Sequence, residues 1–153
     1  MHQYQPRSYR HWVKDKDLLS FTVIVKESDL CVRATRNLSR KTLKTLLKYR
    51  ASLEGYIERY PEFLASLSPL AVGEDAPQIV KAMAEAADRV GVGPMAAVAG
   101  AIAECVGTEL LPWSREVIVE NGGDIFLRTA KVRSIGVYAG ESSPFTGKIA
   151  LEI

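Results

Sequence analysis

The chain has 153 residues, a net charge of +2, and 47% hydrophobic against 25% charged residues; this excludes a disordered or single-sign polyionic chain and suits one domain over 1–153. Cys31 and Cys105 are too few for a disulfide scaffold and lack metal-ligand spacing. The most apolar stretch, Gly93 to Ala103, is shorter than the ~20 residues that cross a bilayer, and Met1-His2-Gln3-Tyr4 has no apolar signal core, so a cytoplasmic location without a membrane partner is expected.

The first elements read as strands. Phe21, Val23 and Val25 alternate with Thr22 and Ile24 between Leu18 and Lys26. Glu27-Ser28-Asp29 is the expected turn, and Leu30 to Ala34 resumes an extended pattern, which predicts a hairpin. A helix follows, with Ser39 as its N-cap and Leu43, Leu46, Leu47, Leu53 and Ile57 on one face. Pro61 disfavours helical geometry at Tyr60 and ends it. Pro61 to Leu67 reads as a short extra turn broken by Ser68-Pro69. The next helix has Asp75 as cap, Pro77 in its first turn and Gln78 three residues after the cap. Ile79, Val80, Met83, Ala87 and Val90 form its buried stripe, and Gly91 suits its left-handed closing residue.

Pro94 to Val106 is apolar all round, as in a helix covered on most sides, with Gly107 as its expected end. Gly100 inside it costs about 1 kcal/mol against alanine, which close packing or a ligand would offset. Glu116 to Glu120 and Ile125 to Arg128 read as strands around the turn Asn121-Gly122-Gly123-Asp124. Lys131 to Tyr138 and Lys148 to Ile153 read as further strands, separated by a polar loop over 139–147. Strands, then helices, then strands predict an α+β fold, an antiparallel sheet packed against helices.

The charge is unevenly placed. Arg33, Arg36, Arg40, Lys41, Lys44, Lys48 and Arg50 carry seven cations over 33–50 with no acid among them. Their regular apolar neighbours make a solvated helix face the simpler reading, and with a net charge of only +2 no nucleic-acid partner is expected. The only histidines, His2 and His11, lie near one end, which disfavours Ser-His-Asp or Cys-His chemistry. Gly91-Val92-Gly93-Pro94-Met95-Ala96 matches G-x-G-x-x-A but follows a helix, where a dinucleotide fingerprint follows a strand. A helix starting at Pro94 still offers N–H groups to an anion. Asn121-Gly122-Gly123-Asp124 is the strongest candidate site: its glycines admit close backbone approach, and Asn121, Asp124 and the adjacent Glu120 add polar groups. One such turn is too few oxygens for Mg²⁺, and a plain hairpin is the simpler reading. Glu141-Ser142-Ser143 offers hydroxyls but reads as a solvated loop. Cys31 and Cys105 are expected in the core, without an activating base, and Trp12 and Trp113 at element edges.

Taken together, the segments Gly91 to Glu104 and Val117 to Phe126, with Phe21 to Leu30 and Tyr60-Pro61-Glu62-Phe63, resemble the small uncharacterised ApbE-related family. The resemblance covers nearly the whole chain. ApbE proper is a flavin transferase that uses FAD and Mg²⁺ to attach FMN to a Ser or Thr of a flavoprotein. The resemblance therefore implies an ApbE-like, T-fold-like architecture, FAD or FMN and Mg²⁺ as cofactors, and a flavoprotein acceptor as partner. It puts Asn121, Gly122, Gly123 and Asp124 beside the ligand, with Gly93 and Met95 at the start of the apolar helix facing the same cleft. It assigns Asp124 to binding and no residue to catalysis. The transferases carry a Lys-Gly pair where this chain has Pro94-Met95-Ala96. The resemblance also implies a further C-terminal half with a metal-binding segment, so the chain reads as a fragment or a truncated member. Three functions follow as alternatives: an FMN transferase-like enzyme, a flavin- or nucleotide-binding module without transfer, and an assembly protein that uses the basic helix, with a homo-oligomer among its forms.

Overall fold

Two antiparallel strands, β1 (Leu19–Val25) and β2 (Ser28–Ala34), open the computed structural model, which describes residues 7, 10, 16–140, 142–145 and 147–153. Val25 pairs with Ser28, so Lys26 and Glu27 alone make the turn. Ser28 and Asp29, expected in the turn, are strand residues. The tight turn is made by Lys26, which takes a left-handed φ of 52°.

The strands β3 (Val117–Asn121) and β4 (Asp124–Arg128) complete an antiparallel sheet in the order β1-β2-β3-β4. The four helices are thus inserted between the two central strands. Alternation sends Leu30, Val32, Ala34, Val117 and Val119 to one face, where each is fully buried under the helices. The fold is α+β with an antiparallel sheet packed against helices, as its sequence predicts.

α1 (Ser39–Arg59) ends where Tyr60 leaves helical geometry before Pro61. Ser39 is not its cap. Leu38 holds that position, and the Asn37 side chain accepts the Ser39 N–H at 2.9 Å. Leu46, Leu53 and Tyr56 are buried, whereas Leu43 and Leu47, expected on the same face, are exposed. Their positions fall on the side of α1 that turns away from the sheet. α2 (Glu62–Ala65) is the expected short turn, and Phe63 anchors it edge-on to Tyr56.

α3 (Gln78–Asp88) buries Ile79, Val80, Met83 and Ala87 as its spacing requires. Asp75 makes no cap: Pro77 occupies that position. Val90 lies beyond the helix end and is exposed, while Gly91 takes φ 73° to close it.

The apolar segment begins as a 3₁₀ turn over Pro94–Ala97, continues as α4 (Val98–Leu110) and ends as a 3₁₀ turn over Leu111–Trp113. This 20-residue run contains an 18-residue window of mean hydropathy 1.3, long and apolar enough to cross a membrane by length and composition, which corrects the shorter stretch read from sequence. Ala101, Ile102, Ala103, Val106 and Leu110 are buried in the same core as the strands, the environment of a core helix. Gly107 does not end it. A Cβ on Gly107 would lie 2.1 Å from Phe126 Cδ1, so this glycine lets α4 meet β4. Gly100, expected at the close approach, has room: its Cβ would meet Asp124 at an ordinary 3.6 Å.

The last strands are shorter than expected, β5 (Ser134–Gly136) and β6 (Ala150–Glu152), and form a separate two-stranded sheet. Arg133 and Ile153 exchange both backbone hydrogen bonds, at 2.9 and 3.0 Å, and extend the ladder. Asp17 ties this unit to the start of β1: Arg133 donates to it at 2.9 and 3.0 Å and Lys131 at 2.8 Å. Hydrogen bonds from Arg133, then from Lys131, hold the Asp17 carboxyl well below the usual carboxylate range. A depressed carboxylate adds stability above its unfolded value of about 4 and loses it as pH falls below that. Urea midpoints are therefore expected to fall between pH 5 and pH 2, and to fall less in Asp17→Asn. Identical pH profiles for the two proteins would refute the assignment. His2, His11, Trp12 and Glu141 lie outside the described residues.

Candidate functional site

The outer face of the four-stranded sheet is not bare. The register sets Cys31 opposite Glu120, Arg33 opposite Ile118, Ile118 opposite Leu127 and Glu120 opposite Ile125, so all six side chains share that face. With Ile135 from β5, Leu151 from β6 and Ile153 beyond it, they line a cavity of about 610 Å³ between the two sheets. That volume lies in the ~300–1,000 Å³ range of small-molecule sites, and apolar walls with a few polar groups are their usual lining.

The polar groups lie towards the turn. Asp29 and Glu120 are both buried, 6% and 8% exposed, which would be costly without partners. Arg10 supplies them: Nη1 donates to Asp29 Oδ1 at 2.8 Å, Nη2 to the Asp29 carbonyl at 2.8 Å, and Nε to Glu120 Oε2 at 2.6 Å. Arg7 adds a bond to the Asp29 carbonyl at 2.8 Å. Burial by itself would lower the Arg10 value; the Asp29 hydrogen bond and the Glu120 charge outweigh it and hold the guanidinium protonated. Arg33 Nη2 donates to the Arg10 carbonyl at 3.3 Å, and so joins the same network.

Gly122 and Gly123 take φ values of 65° and 102°, the left-handed pair that a two-residue hairpin needs. Glu120 Oε1 accepts the Gly123 N–H at 2.9 Å and holds the turn against the ionic cluster. The glycines border the cavity. Alternation turns Asn121 and Asp124 to the other side. Asn121 Nδ2 donates to the Ala99 carbonyl of α4 at 3.1 Å, and Asp124 lies beside Gly100. Gly93 packs on the backbone of Ser66 and Leu67, and Met95 packs against the hydrophobic core. The six sequence-selected residues are thus divided between two sides of the sheet.

Cys31 is buried, but on this outer face; the expectation that it faces the core among the helices is corrected. The Cys105 thiol is pushed up to about 11, first by burial and then by Glu104 and Glu109, the opposite direction from an activated thiolate. Among the described residues no three His, Cys, Asp or Glu side chains are grouped to hold a metal. Sequence reasoning missed Arg10, Asp29, Arg33 and Arg133. The signal for Arg33 was present: it alternates with Cys31 along β2.

A family model described as "AbpE bacteria" matches residues 10–153. The chain belongs to that ApbE-related family. It is 47% identical over 110 residues to a UPF0280 protein of Methanococcus aeolicus, covering 71% of this chain and 44% of that one. It is 37% identical over 137 residues to a UPF0280 protein of Methanopyrus kandleri, covering 89% and 56%. A UPF0280 protein of Methanocaldococcus jannaschii is 42% identical over 132 residues, covering 86% and 53%. The chain spans about half the length of these curated relatives. In this ApbE-related chain, the two most distinctive segments meet in space: Asn121 of the hairpin is hydrogen-bonded to Ala99 of the apolar helix.

Proposed function

We propose that this ApbE-related chain is a flavin- or nucleotide-binding module, with the ligand in the cavity between the two sheets. The observation that carries this reading is the 610 Å³ cavity itself, with Ile118, Ile125 and Leu127 on one wall and Ile135 and Leu151 on the other. Two apolar walls suit a planar ring system, and the Gly122-Gly123 backbone leaves room at the polar end. Arg10, Arg33 and Arg133 also line it, Arg10 paired with Asp29 and Glu120 and Arg133 with Asp17 and Glu116, so its polar end is an ion-paired network beside the apolar walls.

Mg²⁺ fits less well. Glu120 is committed to Arg10 and the Gly123 N–H, and Asp124 is on the opposite side of the turn. A hard cation needs several oxygen ligands, which this turn does not supply. FMN transfer to a flavoprotein is the finer reading implied by the family resemblance; binding is the part this chain's residues support.

Titration of the purified chain with FMN and FAD, with and without Mg²⁺, is expected to quench flavin fluorescence. Leu127→Trp should fill the cavity and weaken binding at least about tenfold, since overfilled sites exclude their ligand. Asp124→Ala, on the helix side, should leave affinity unchanged. No quenching, or equal affinity in Leu127→Trp, would refute the cavity reading. Loss of binding in Asp124→Ala would move the ligand to the α4 side of the turn. Mass gain on a Ser/Thr acceptor peptide would restore the transferase.

A further inference from the structure

The face that the β5–β6 sheet turns to the cavity is almost wholly apolar. Ile135 pairs with Leu151, and the Val137 N–H donates to the Ile149 carbonyl in the same register. Alternation therefore puts Arg133, Ile135 and Val137 on one face with Ile149, Leu151 and Ile153. Ile135, Val137, Leu151 and Ile153 line the cavity, yet Val137 is 38% exposed, Leu151 57% and Ile153 56%. On the opposite wall Ile125 is 40% exposed. Both walls thus hold apolar surface that a bound group would remove from water.

The polar end is electrically balanced. Asp17, Asp29, Glu116 and Glu120 stand against Arg7, Arg10, Arg33 and Arg133, with Lys131 reaching Asp17 from the solvent side. Arg10 pairs with Asp29 at 2.8 Å and with Glu120 at 2.6 Å, and Arg7 with Asp29 at 3.3 Å. Arg133 pairs with Asp17 at 2.9 Å and with Glu116. Arg33 joins the network through the Arg10 carbonyl, at 3.3 Å. A phosphate drawn to Arg10 or Arg133 would compete with carboxylates already in place, and displacing Asp29, Glu116 or Glu120 would leave a buried anion without its cation. An uncharged ring displaces nothing and needs only the apolar walls.

We propose that the cavity takes the uncharged planar ring of its ligand and leaves any phosphate outside, in solvent. This rests on the flavin-binding reading of the same cavity and names its ligand class: an uncharged aromatic ring system, as in riboflavin, to which the phosphate of FMN adds no affinity. Ile118, Ile125 and Leu127 would cover one face of the ring, and Ile135 and Leu151 the other.

Fluorescence titration of the full chain with lumiflavin, riboflavin and FMN tests it. The three affinities are expected to agree within about threefold, and that of FMN to hold from low to high salt, since a phosphate held by arginine would be screened. Arg33→Gln should leave the ratio of FMN to riboflavin affinity unchanged. Leu151→Asp should weaken all three at least about tenfold by setting a charge against the ring, with unchanged circular dichroism because Leu151 is exposed. FMN binding tighter than riboflavin by about tenfold or more, with that preference lost in Arg33→Gln or in high salt, would overturn this inference and leave the flavin site standing. Unchanged affinities in Leu151→Asp would also overturn it, by placing the ring away from β6. No binding of any of the three overturns both the flavin site and this inference. Self-association of the chain that Leu151→Asp abolishes, without flavin binding, would assign the apolar face to a second copy instead.

Discussion

Gly93→Ala is expected to destabilise the protein by about 3 kcal/mol or more. Its Cβ would lie 1.8 Å from the Ser66 carbonyl oxygen, 2.7 Å from the Ser66 carbonyl carbon and 3.0 Å from Leu67 Cα. These are backbone atoms, so no rotamer change relieves the clash, and the cost lies at the upper end of overpacking effects. Backbone freedom is not the reason. Gly93 has φ −72° and ψ 151°, an ordinary extended conformation, where alanine would by itself add about 0.4–1 kcal/mol. Gly55→Ala is the contrasting change: within α1, with nothing near its Cβ, it should raise stability by roughly 0.5–1 kcal/mol. Thermal melts decide between them. A drop of roughly 6–12 °C is expected for Gly93→Ala, at 2–4 °C per kcal/mol for a chain this size. Equal melting temperatures for Gly93→Ala and the parent would show that the loop over 66–67 yields without cost.

Glu116→Ala is expected to cost about 1.5–3 kcal/mol, because it removes a buried hydrogen bond between charged groups. The Glu116 carboxylate accepts a hydrogen bond from Arg133, and the two residues are only 3% and 8% exposed. Arg133 keeps its two hydrogen bonds to Asp17, on the solvent side. Replacing both partners, as in Glu116→Met with Arg133→Met, should cost less than Arg133→Met alone, which leaves the buried Glu116 carboxylate without that donor. Urea denaturation of the two variants measures the difference. A double variant less stable than the single would mean that the pair is a net source of stability. The pair also joins the start of β3 to the strand end beside β5, so its loss should loosen the cavity that Arg133 lines.

Local chemistry made much of this fold legible. The stripe of Ile79, Val80, Met83 and Ala87 recurs at the helical period, and each residue is buried where the period puts it. Pro61 stops a helix through its own ring geometry, and Gly122-Gly123 makes a hairpin because both positions need positive φ. The errors cluster where distant residues decide. Gly107 has the look of a helix terminator, yet it lies within α4 because the Phe126 ring needs its space. Leu43 and Leu47 fit the α1 stripe by spacing, yet face away because only part of a 21-residue helix meets the sheet.

The site shows the same division. The Asn-Gly-Gly-Asp turn could be found from four adjacent residues. Which of them border the cavity could not, because the Gly122-Gly123 turn bends to the cavity side with Glu120 while Asn121 and Asp124, a facing strand pair, point to α4. Arg10, Asp29 and Glu120 are far apart along the chain and meet through side-chain hydrogen bonds. The amino-acid sequence by itself determined the α+β order, the helices with clear periodicity, the hairpin turn and the family. Tertiary structure alone decided which sheet face holds the cavity, which glycines have no room for a side chain and which charged groups pair across the fold. The physical reason is range: periodicity and turn chemistry act over a few residues, whereas burial, ion pairing and close approach depend on groups joined only by the fold.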